Sequence, residues 1–211
     1  MDTSKQAANL FHKYAKRYQD KYMSVALYSS FLDEFCNRIA KADARILELG
    51  CGPGNITKYI LEKHPEYHVL GIDLAPAMIE LARINNPGAS FQVMDMRNIG
   101  ELKAQYNGLI MGFCTPYLSR KESEQLIDKA CRLLLPGSTL YLSTMEGDYS
   151  KSGYQGPSDG GSDRIYIYYH EADYLIQRLK KNGYKDIKVY RQEFPVEEGP
   201  AMTDLIIIAS K

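Results

Sequence analysis

Tryptophan is absent from this chain of 211 residues, and no long hydrophobic run is present. The longest apolar stretch near the end of the chain, Leu205 to Ala209, has five residues, whereas a membrane-spanning helix needs about 20. The first residues are polar and lack the apolar segment of an export signal. The sequence therefore predicts neither a membrane span nor a cleaved leader.

An excess of either charge is also missing, because 26 Lys and Arg residues balance 26 Asp and Glu residues. Proteins that bind nucleic acids usually carry a basic excess or a basic stripe, so no nucleic-acid partner is expected. No C-x-x-C pair occurs among the four cysteines, which are Cys36, Cys51, Cys114 and Cys131. We interpret them as reduced thiols of a cytoplasmic protein.

The chain length favours a single domain over residues 1–211, in which strands alternate with helices. The predicted strands cover 45–49, 67–73, 90–95, 106–113 and 139–144, and the predicted helices cover 56–63, 76–85, 121–134 and 171–182. This order predicts right-handed β-α-β units and a parallel sheet. Only eight residues separate two final β-rich runs, 186–194 and 203–210, and so short a link requires an antiparallel pair.

Two segments flank this alternating pattern. Residues 5–40 carry apolar side chains at three- and four-residue steps, which predicts helix and an N-terminal helical cap over residues 1–42. Residues 147–164 are rich in glycine and serine, and such a composition stays flexible. They form either a disordered connector or a flexible lid-like loop. The lid is favoured because this segment leaves the carboxyl end of the fifth strand, where open α/β sheets bind ligands.

A glycine-rich loop follows the first strand and opens the first helix of the alternating region. Its glycines, Gly50, Gly52 and Gly54, allow positive φ angles and close approach of the backbone to a ligand. The acidic residue Glu48 precedes the loop, and Asp73 ends the second strand beside it. A carboxylate in that position can accept hydrogen bonds from both hydroxyls of a ribose. The pattern therefore predicts a nucleoside-containing ligand.

Five segments in order carry a family resemblance: ELGCGPG at 48–54, GIDLAPAMIELAR at 71–83, FQVMDMRNI at 91–99, NGLIMGFCTPYLS at 107–119 and CRLLLPGSTLYLS at 131–143. Together they resemble the motifs of class I S-adenosylmethionine-dependent methyltransferases of the small-molecule type. Ser138 departs from the family pattern, because it replaces the usual second glycine of the L-x-P-G-G turn. The resemblance implies a Rossmann-like three-layer α/β/α sandwich with a seven-stranded, mostly parallel sheet whose last strand is antiparallel.

The resemblance also implies roles for particular residues. The cofactor would be S-adenosyl-L-methionine, with S-adenosyl-L-homocysteine as the product. Asp73 would hold the ribose, Asp95 would bond the exocyclic amine of the adenine, and Leu74 and Met96 would pack against the base. Cys114 would lie near the sulfonium. The methionine part would rest on Gly50, Cys51, Gly52 and Gly54, with Glu48 ordering that loop.

The acceptor is expected to be a small molecule, because neither a basic patch nor an appended binding domain is evident. Candidate acceptor-binding residues are Tyr14, Tyr18 and Tyr22, which share one helix face at four-residue spacing, together with Tyr117 and His170. Tyrosines that line a pocket suit a cationic or planar acceptor, although tyrosines also simply pack between a helix and a sheet. No catalytic base is identified, and no metal site is expected, because Pro65 separates His64 and His68.

Several alternatives remain open at the level of sequence. A non-catalytic protein that binds S-adenosylmethionine would carry the same motifs, because a fold does not determine a function. A nicotinamide-dependent Rossmann oxidoreductase would need its third glycine one residue later. A methyltransferase acting on RNA or protein is disfavoured by the neutral charge balance. The acceptor atom and the oligomeric state, a homodimer included, cannot be read from the sequence.

Overall fold

A computed structural model describes residues 2–156, 163–194 and 202–211. Nine strands are present in these ranges: β1 (Arg45–Leu49), β2 (His68–Asp73), β3 (Ser90–Val93), β4 (Tyr106–Gly112), β5 (Leu134–Met145), β6 (Gly153–Gln155), β7 (Ile165–Ile167), β8 (Lys185–Phe194) and β9 (Met202–Ser210). Seven α-helices accompany them: α1 (Thr3–Lys13), α2 (Ala15–Tyr22), α3 (Ser29–Asn37), α4 (Asn55–Lys63), α5 (Pro76–Asn85), α6 (Arg120–Leu133) and α7 (Ala172–Lys181).

The main sheet has seven strands in the order β3-β2-β1-β4-β5-β9-β8. Strands β1 to β5 are mutually parallel, and β9 is antiparallel to both of its neighbours, β5 and β8. The predicted fold class is therefore confirmed, including the reversed last strand. The residues that join β8 to β9, with Pro195, Gly199 and Pro200 among them, lie outside the described ranges.

Helices cover both faces of this sheet because the side chains of its strands alternate in direction. In β1, Ile46 packs with a cluster that includes residues of α3 and α4, whereas Leu47 and Leu49 pack with residues of α6 and α7. Strand β9 lies between β5 and β8 and is buried on both faces, which explains its continuous apolar run. No helix within the described ranges combines the length and apolar character that crossing a membrane requires.

The prediction of continuous helix over residues 5–40 is wrong, because the segment is divided into several shorter helices. The chain leaves the helical conformation at Tyr14, where φ is −111° and ψ is 19°, and so α1 and α2 are separate helices. A short 3-10 turn at Ala26–Tyr28 then precedes α3. The apolar spacing continues through these breaks because each piece still buries one face, so periodicity alone could not reveal them.

The predicted loop over residues 147–164 contains regular structure as well. Strands β6 and β7 form an antiparallel hairpin, and Tyr154 lies opposite Tyr166 with the two rings 5.1 Å apart. Within the expected lid, residues 157–162 lie outside the described ranges. The predicted turn before the fifth strand belongs to β5 itself, where Gly137 has φ +76° and the pairing with β4 shifts register. Cross-strand aromatic contacts thus pair the described residues on the two sides of 157–162.

Candidate functional site

The glycine loop after β1 adopts backbone conformations that residues with a Cβ atom disfavour. Gly50, Gly52 and Gly54 all have positive φ, at 64°, 53° and 78°. A Cβ on Gly50 would lie 2.8 Å from the Cβ of Cys114, and one on Gly54 would lie 2.4 Å from the Nδ2 of Asn86. Both the conformation and the space therefore require glycine at positions 50 and 54, as the sequence pattern predicted.

Asp73 joins the end of β2 to this loop. Its carboxylate accepts a hydrogen bond from the backbone N–H of Gly52 at 2.9 Å and another from that of Ala75 at 2.8 Å. Burial raises the pKa of Asp73, while these N–H groups act in the opposite direction. Each carboxylate oxygen has two acceptor sites, so the side chain retains acceptor capacity for ligand hydroxyls.

Asp95 is fixed by an arginine two residues later in the chain. The Nε of Arg97 lies 3.0 Å from both carboxylate oxygens, and the backbone N–H of Arg97 donates to the same group. Burial acts to raise the pKa of Asp95, but the bonds from Arg97 outweigh it and the pKa is lowered. Arg97 also pairs with Asp2 at 2.8 Å and with Glu122 at 3.2 Å. Asp95 is therefore an ionised acceptor held in a fixed position.

A cavity of about 90 Å³ lies where β1, β2 and β4 end, beneath α1 and α2. We call it the glycine-loop cavity. The sheet edge contributes Gly50, Gly52, Asp73, Leu74, Met94, Asp95, Met96, Gly112, Phe113 and Cys114, and the helices and turns above contribute Ser4, Ala7, Ala8, Phe11, Tyr18, Met78 and Tyr117. Seven of the residues predicted to bind cofactor, and two predicted to bind the acceptor, are thus in its lining.

Aromatic side chains close the top of the glycine-loop cavity. The ring of Phe11 lies 5.5 Å from that of Tyr18 and 5.0 Å from that of Tyr117, both in edge-to-face geometry. Burial raises the pKa of Tyr18 and of Tyr117, so both phenols are neutral at physiological pH. Neither hydroxyl has a hydrogen-bond partner among the described residues. Two phenols are therefore available to a ligand in this cavity.

Glu48 lies below the cavity rather than in its lining. It is 1% exposed, and it accepts a hydrogen bond from the hydroxyl of Thr57 in the first turn of α4. Burial raises the pKa of Glu48 to about 8, against the effect of Thr57. In this position the carboxyl group connects β1 to the start of the helix that follows the glycine loop.

The remaining predicted residues point elsewhere. The side chain of Cys51 packs with Phe91 in a separate apolar cluster, so only its backbone belongs to the loop. Tyr14 is 38% exposed, and its hydroxyl donates to Asp163 at 2.6 Å. Tyr22 is outside the cavity lining, although its ring lies 4.8 Å from that of Tyr18. The break at Tyr14 separates this residue from Tyr18 and Tyr22, which remain neighbours within α2.

His170 is a buried core residue rather than a cap or a surface residue. Its Nε2 donates to the carbonyl oxygen of Thr115 at 2.9 Å, and its Nδ1 accepts from the hydroxyl of Tyr174. Burial lowers the pKa of His170 to about 4, so the imidazole is neutral at physiological pH. No group of three or more metal-ligating side chains that could hold an ion occurs within the described ranges.

The sequence did not reveal eight of the lining residues, among them the large side chains of Phe11, Met78, Met94 and Phe113, because they reach the cavity through packing. Phe113 has φ +50°, a conformation that a non-glycine residue adopts under constraint. Its N–H donates to the backbone oxygen of Ser143 at 3.0 Å, which holds this conformation at the end of β4. A position directly after a central parallel strand was the one signal that could have pointed to it.

Comparison with known proteins places this geometry in context. Residues 46–137 match a family model described as a methyltransferase domain. A ubiquinone biosynthesis O-methyltransferase from Xanthomonas campestris is 33% identical over 117 residues, which are 54% of this chain and 48% of that protein. A trans-aconitate 2-methyltransferase from Methylobacterium nodulans is 41% identical over 58 residues, which are 28% and 22% of the two chains. The chain spans less than half the length of these curated relatives.

The structure of magnesium protoporphyrin IX methyltransferase from Synechocystis with bound S-adenosylhomocysteine matches the whole fold. The two chains align with a TM-score of 0.73 at 15% identity, over 100% of each chain. At this identity the match concerns the fold, which is the Rossmann-like sandwich described above. The family match is to a methyltransferase domain, as the resemblance implied, and not to a nicotinamide-dependent oxidoreductase.

Proposed function

We propose that this chain is a class I S-adenosylmethionine-dependent methyltransferase that methylates a small organic acceptor with S-adenosyl-L-methionine as the donor, because residues 46–137 match a methyltransferase-domain model. The observation that carries the proposal is Asp73, which is half-buried at the end of β2 and accepts a hydrogen bond from the N–H of Gly52. A carboxylate in this position beside a glycine loop suits the two hydroxyls of a ribose. The similarity to a ubiquinone biosynthesis O-methyltransferase and to a trans-aconitate 2-methyltransferase supports a small acceptor.

The residues of the glycine-loop cavity fit such a cofactor chemically. Leu74, Met94 and Met96 provide an apolar surface for a base, and the ionised Asp95 lies beside them as an acceptor for an exocyclic amine. The loop with Gly50 and Gly52 allows close approach of the backbone to the amino-acid part. Apart from Met94, these are residues that the sequence pattern selected, and along the sheet edge they would contact the base, the ribose and the methionine part in that order.

Space in the cavity is smaller than the ligand requires. Its volume is about 90 Å³, whereas pockets for ligands of this size hold about 300–1,000 Å³. We infer that α1 and α2 shift outward when the ligand enters. Their polar links to the rest of the domain include the hydroxyl of Ser4, which donates to the carbonyl oxygen of Tyr117 at 2.6 Å, and the pair between Asp2 and Arg97.

When bound, S-adenosylmethionine supplies a methyl group that is already activated by its sulfonium, so the protein needs no covalent nucleophile. The chain contributes position: a well-oriented acceptor can lower the barrier by several kcal/mol. Burial raises the pKa of the Cys114 thiol to about 12, so this residue stays protonated and does not compete for the methyl group. The neutral phenols of Tyr18 and Tyr117 can donate hydrogen bonds that orient a planar acceptor.

Substitution of Asp73 tests the proposal. Wild-type protein should bind S-adenosylhomocysteine, and Asp73→Ala should weaken this binding by about 5- to 150-fold, because ribose hydroxyls lose their acceptor at a cost of about 1–3 kcal/mol. Isothermal titration calorimetry measures the affinity, and circular dichroism verifies that the variant is folded. Asp20→Ala, which alters an exposed carboxylate paired with Lys16 on α2, is the matched control.

Two outcomes would contradict the proposal. The first is a wild-type protein that does not bind S-adenosylhomocysteine at millimolar concentration, and the second is an Asp73→Ala variant with unchanged affinity. Release of S-adenosylhomocysteine from S-adenosylmethionine in the presence of a metabolite pool then tests turnover. Binding without release in any pool would identify a protein that holds the cofactor and does not use it.

A further inference from the structure

A second and larger cleft lies at the opposite edge of the sheet, where β1, β4 and β5 begin. It has a volume of about 740 Å³, and Arg45, Asn107 and Leu135 are part of its lining. Asn107 lies near the start of β4, and Phe113, in the glycine-loop cavity, lies just beyond its end. Six residues of extended chain at about 3.3 Å each separate the two sites by roughly 20 Å. The cleft is therefore distinct from the proposed methyl-transfer site.

Positive charge is concentrated in this cleft. Its lining contains five cationic residues, Lys41, Arg45, Lys103, Lys129 and Arg132, and no carboxylate from the part of the chain that the structure describes. The net charge of the whole chain is zero, so this concentration is a local feature and not a consequence of composition. We call the site the basic cleft. A cleft lined by charge of one sign focuses its field and attracts counter-ions.

Some of these cations are held in place by the fold. The backbone N–H of Arg45 donates to the Oδ1 of Asn107 at 3.0 Å, and the Arg45 guanidinium lies 5.7 Å from the ring centre of Tyr106. Lys129 donates to the carbonyl oxygen of Arg97. One cation is partly neutralised, because Lys41 lies 3.4 Å from the carboxylate of Asp43. Arg45 on β1 and Lys129 on α6 are thus held in place, which reduces the entropy lost on binding.

Two cations lack an ion pair of this kind, although the charge of Arg132 helps to lower the pKa of Asp128. Among the described residues, no carboxylate lies within 4 Å of Lys103 or of Arg132. Lys103 precedes β4, and Arg132 lies in the last turn of α6. Arginine and lysine in this arrangement are suited to phosphate oxygens, arginine through its planar pair of donors and lysine as a point charge.

Apolar side chains provide the rest of the surface. They are Leu102, Ala104, Leu133 and Leu135, which belong to the loop before β4, to α6 and to β5. A cleft that combines several cations with an apolar surface suits an anion that also has an organic body. Its volume lies in the range of about 300–1,000 Å³ that is typical of sites for small ligands.

We propose that the basic cleft binds a small organic polyphosphate, a compound with two or more phosphate groups on an aromatic or apolar body, such as a nucleoside triphosphate. The phosphates contact the cations, and the organic body lies on the leucine side chains. A lipid surface fits less well, because none of the large exposed apolar side chains among the described residues lines this concave site. An extended nucleic acid fits less well, because the charge is confined to one cleft in a neutral chain.

Calorimetry with the full-length chain tests this proposal without measuring methyl transfer. The probes are inorganic triphosphate, ATP and adenosine, each titrated at low ionic strength, where screening is weak. We expect triphosphate and ATP to bind with one-to-one stoichiometry, ATP several-fold more tightly, and saturating S-adenosylhomocysteine to leave both affinities unchanged. That last measurement separates the basic cleft from any adenosine site in the glycine-loop cavity.

Charge reversal identifies the site. The double variant Lys103→Glu/Arg132→Glu should lower the affinity for triphosphate and ATP by about tenfold or more, because two attractive charges become repulsive. The control variant Lys58→Glu/Lys180→Glu makes the same change in net charge on exposed faces of α4 and α7. Its affinity for triphosphate and ATP should stay within about twofold of that of the wild type. The proposal would be overturned if Lys103→Glu/Arg132→Glu had the thermal transition of the wild type and still bound triphosphate and ATP with wild-type affinity.

Four other results would also overturn it: no binding of triphosphate or ATP, displacement of both by S-adenosylhomocysteine, equal affinity for triphosphate and ATP, and equal loss of affinity in the two double variants. Anionic vesicles and a short RNA serve as further probes. Tight binding of either one that ATP fails to compete would replace the small polyphosphate with a different partner.

Discussion

Glu48→Gln provides a direct test of how the glycine loop is supported. Glu48 is 1% exposed, and burial raises its pKa to about 8 from an ordinary value of 4.5. In the folded protein the carboxyl group is therefore mostly neutral at pH 7, whereas in the unfolded chain it is ionised. The unfolded state binds fewer protons between these two pKa values, so this group makes the folded state less stable as the pH rises.

The size of the effect follows from the shift. Each pKa unit corresponds to about 1.4 kcal/mol, so the free energy of unfolding should fall by roughly 3–4 kcal/mol between pH 5 and pH 8 from Glu48 alone. Glutamine keeps the shape of the side chain and cannot ionise. Between pH 5 and pH 8 the stability of Glu48→Gln relative to the wild type should therefore increase by this same amount.

Urea denaturation at pH 5, 6, 7 and 8 measures the difference, because other titrating groups contribute equally to both proteins and cancel. Glu62→Gln alters an exposed side chain on the same α4 helix and should give curves parallel to those of wild type. If the curves of Glu48→Gln and wild type were also parallel over this range, Glu48 would not be held neutral, and the reasoning about its burial would be refuted.

Two further predictions concern contacts at the sheet edge. Gly50→Ala should lower the free energy of unfolding by about 2–5 kcal/mol, because the new Cβ would lie in a left-handed conformation and would overlap the Cβ of Cys114. The double variant Gly50→Ala/Cys114→Gly lacks that overlap, so it should be more stable than the sum of the two single changes predicts. Full additivity of the two changes in urea denaturation would argue against the contact. Tyr28→Phe removes the hydroxyl that donates to the buried carboxylate of Asp204 at 2.6 Å and should cost about 1–3 kcal/mol, whereas an unchanged melting curve would show that water replaces the phenol.

Regular alternation made most of the sheet predictable from the sequence. The helix over 76–85 was predicted at both ends, because Pro76 suits a first helical position and an Asn-Asn-Pro-Gly run follows it. The N-terminal helices were not separated, since the break at Tyr14 changes two dihedral angles and leaves the apolar spacing intact. The hairpin of β6 and β7 was missed because its strands have three residues each, too few for a periodic pattern.

The candidate site divides in the same way. Asp73, Asp95 and the glycines could be placed from the sequence because each follows a strand directly, and strand ends of a parallel sheet meet at one edge. The directions of Tyr14 and His170 could not, because they depend on how α1 and the segment before α7 pack against the sheet. The same holds for Phe11 and Met78, which reach the glycine-loop cavity only because α1 lies against α5.

The ion pairs of Arg97 with three carboxylates bear on the rate at which a ligand leaves the glycine-loop cavity. It connects Asp2, at the start of α1, with Asp95 at the edge of the sheet and with Glu122 in α6. If α1 shifts outward as inferred above, we expect a ligand in the glycine-loop cavity to leave only after the ion pair between Asp2 and Arg97 separates. Salt weakens that ion pair, so the rate at which the ligand dissociates should rise with ionic strength.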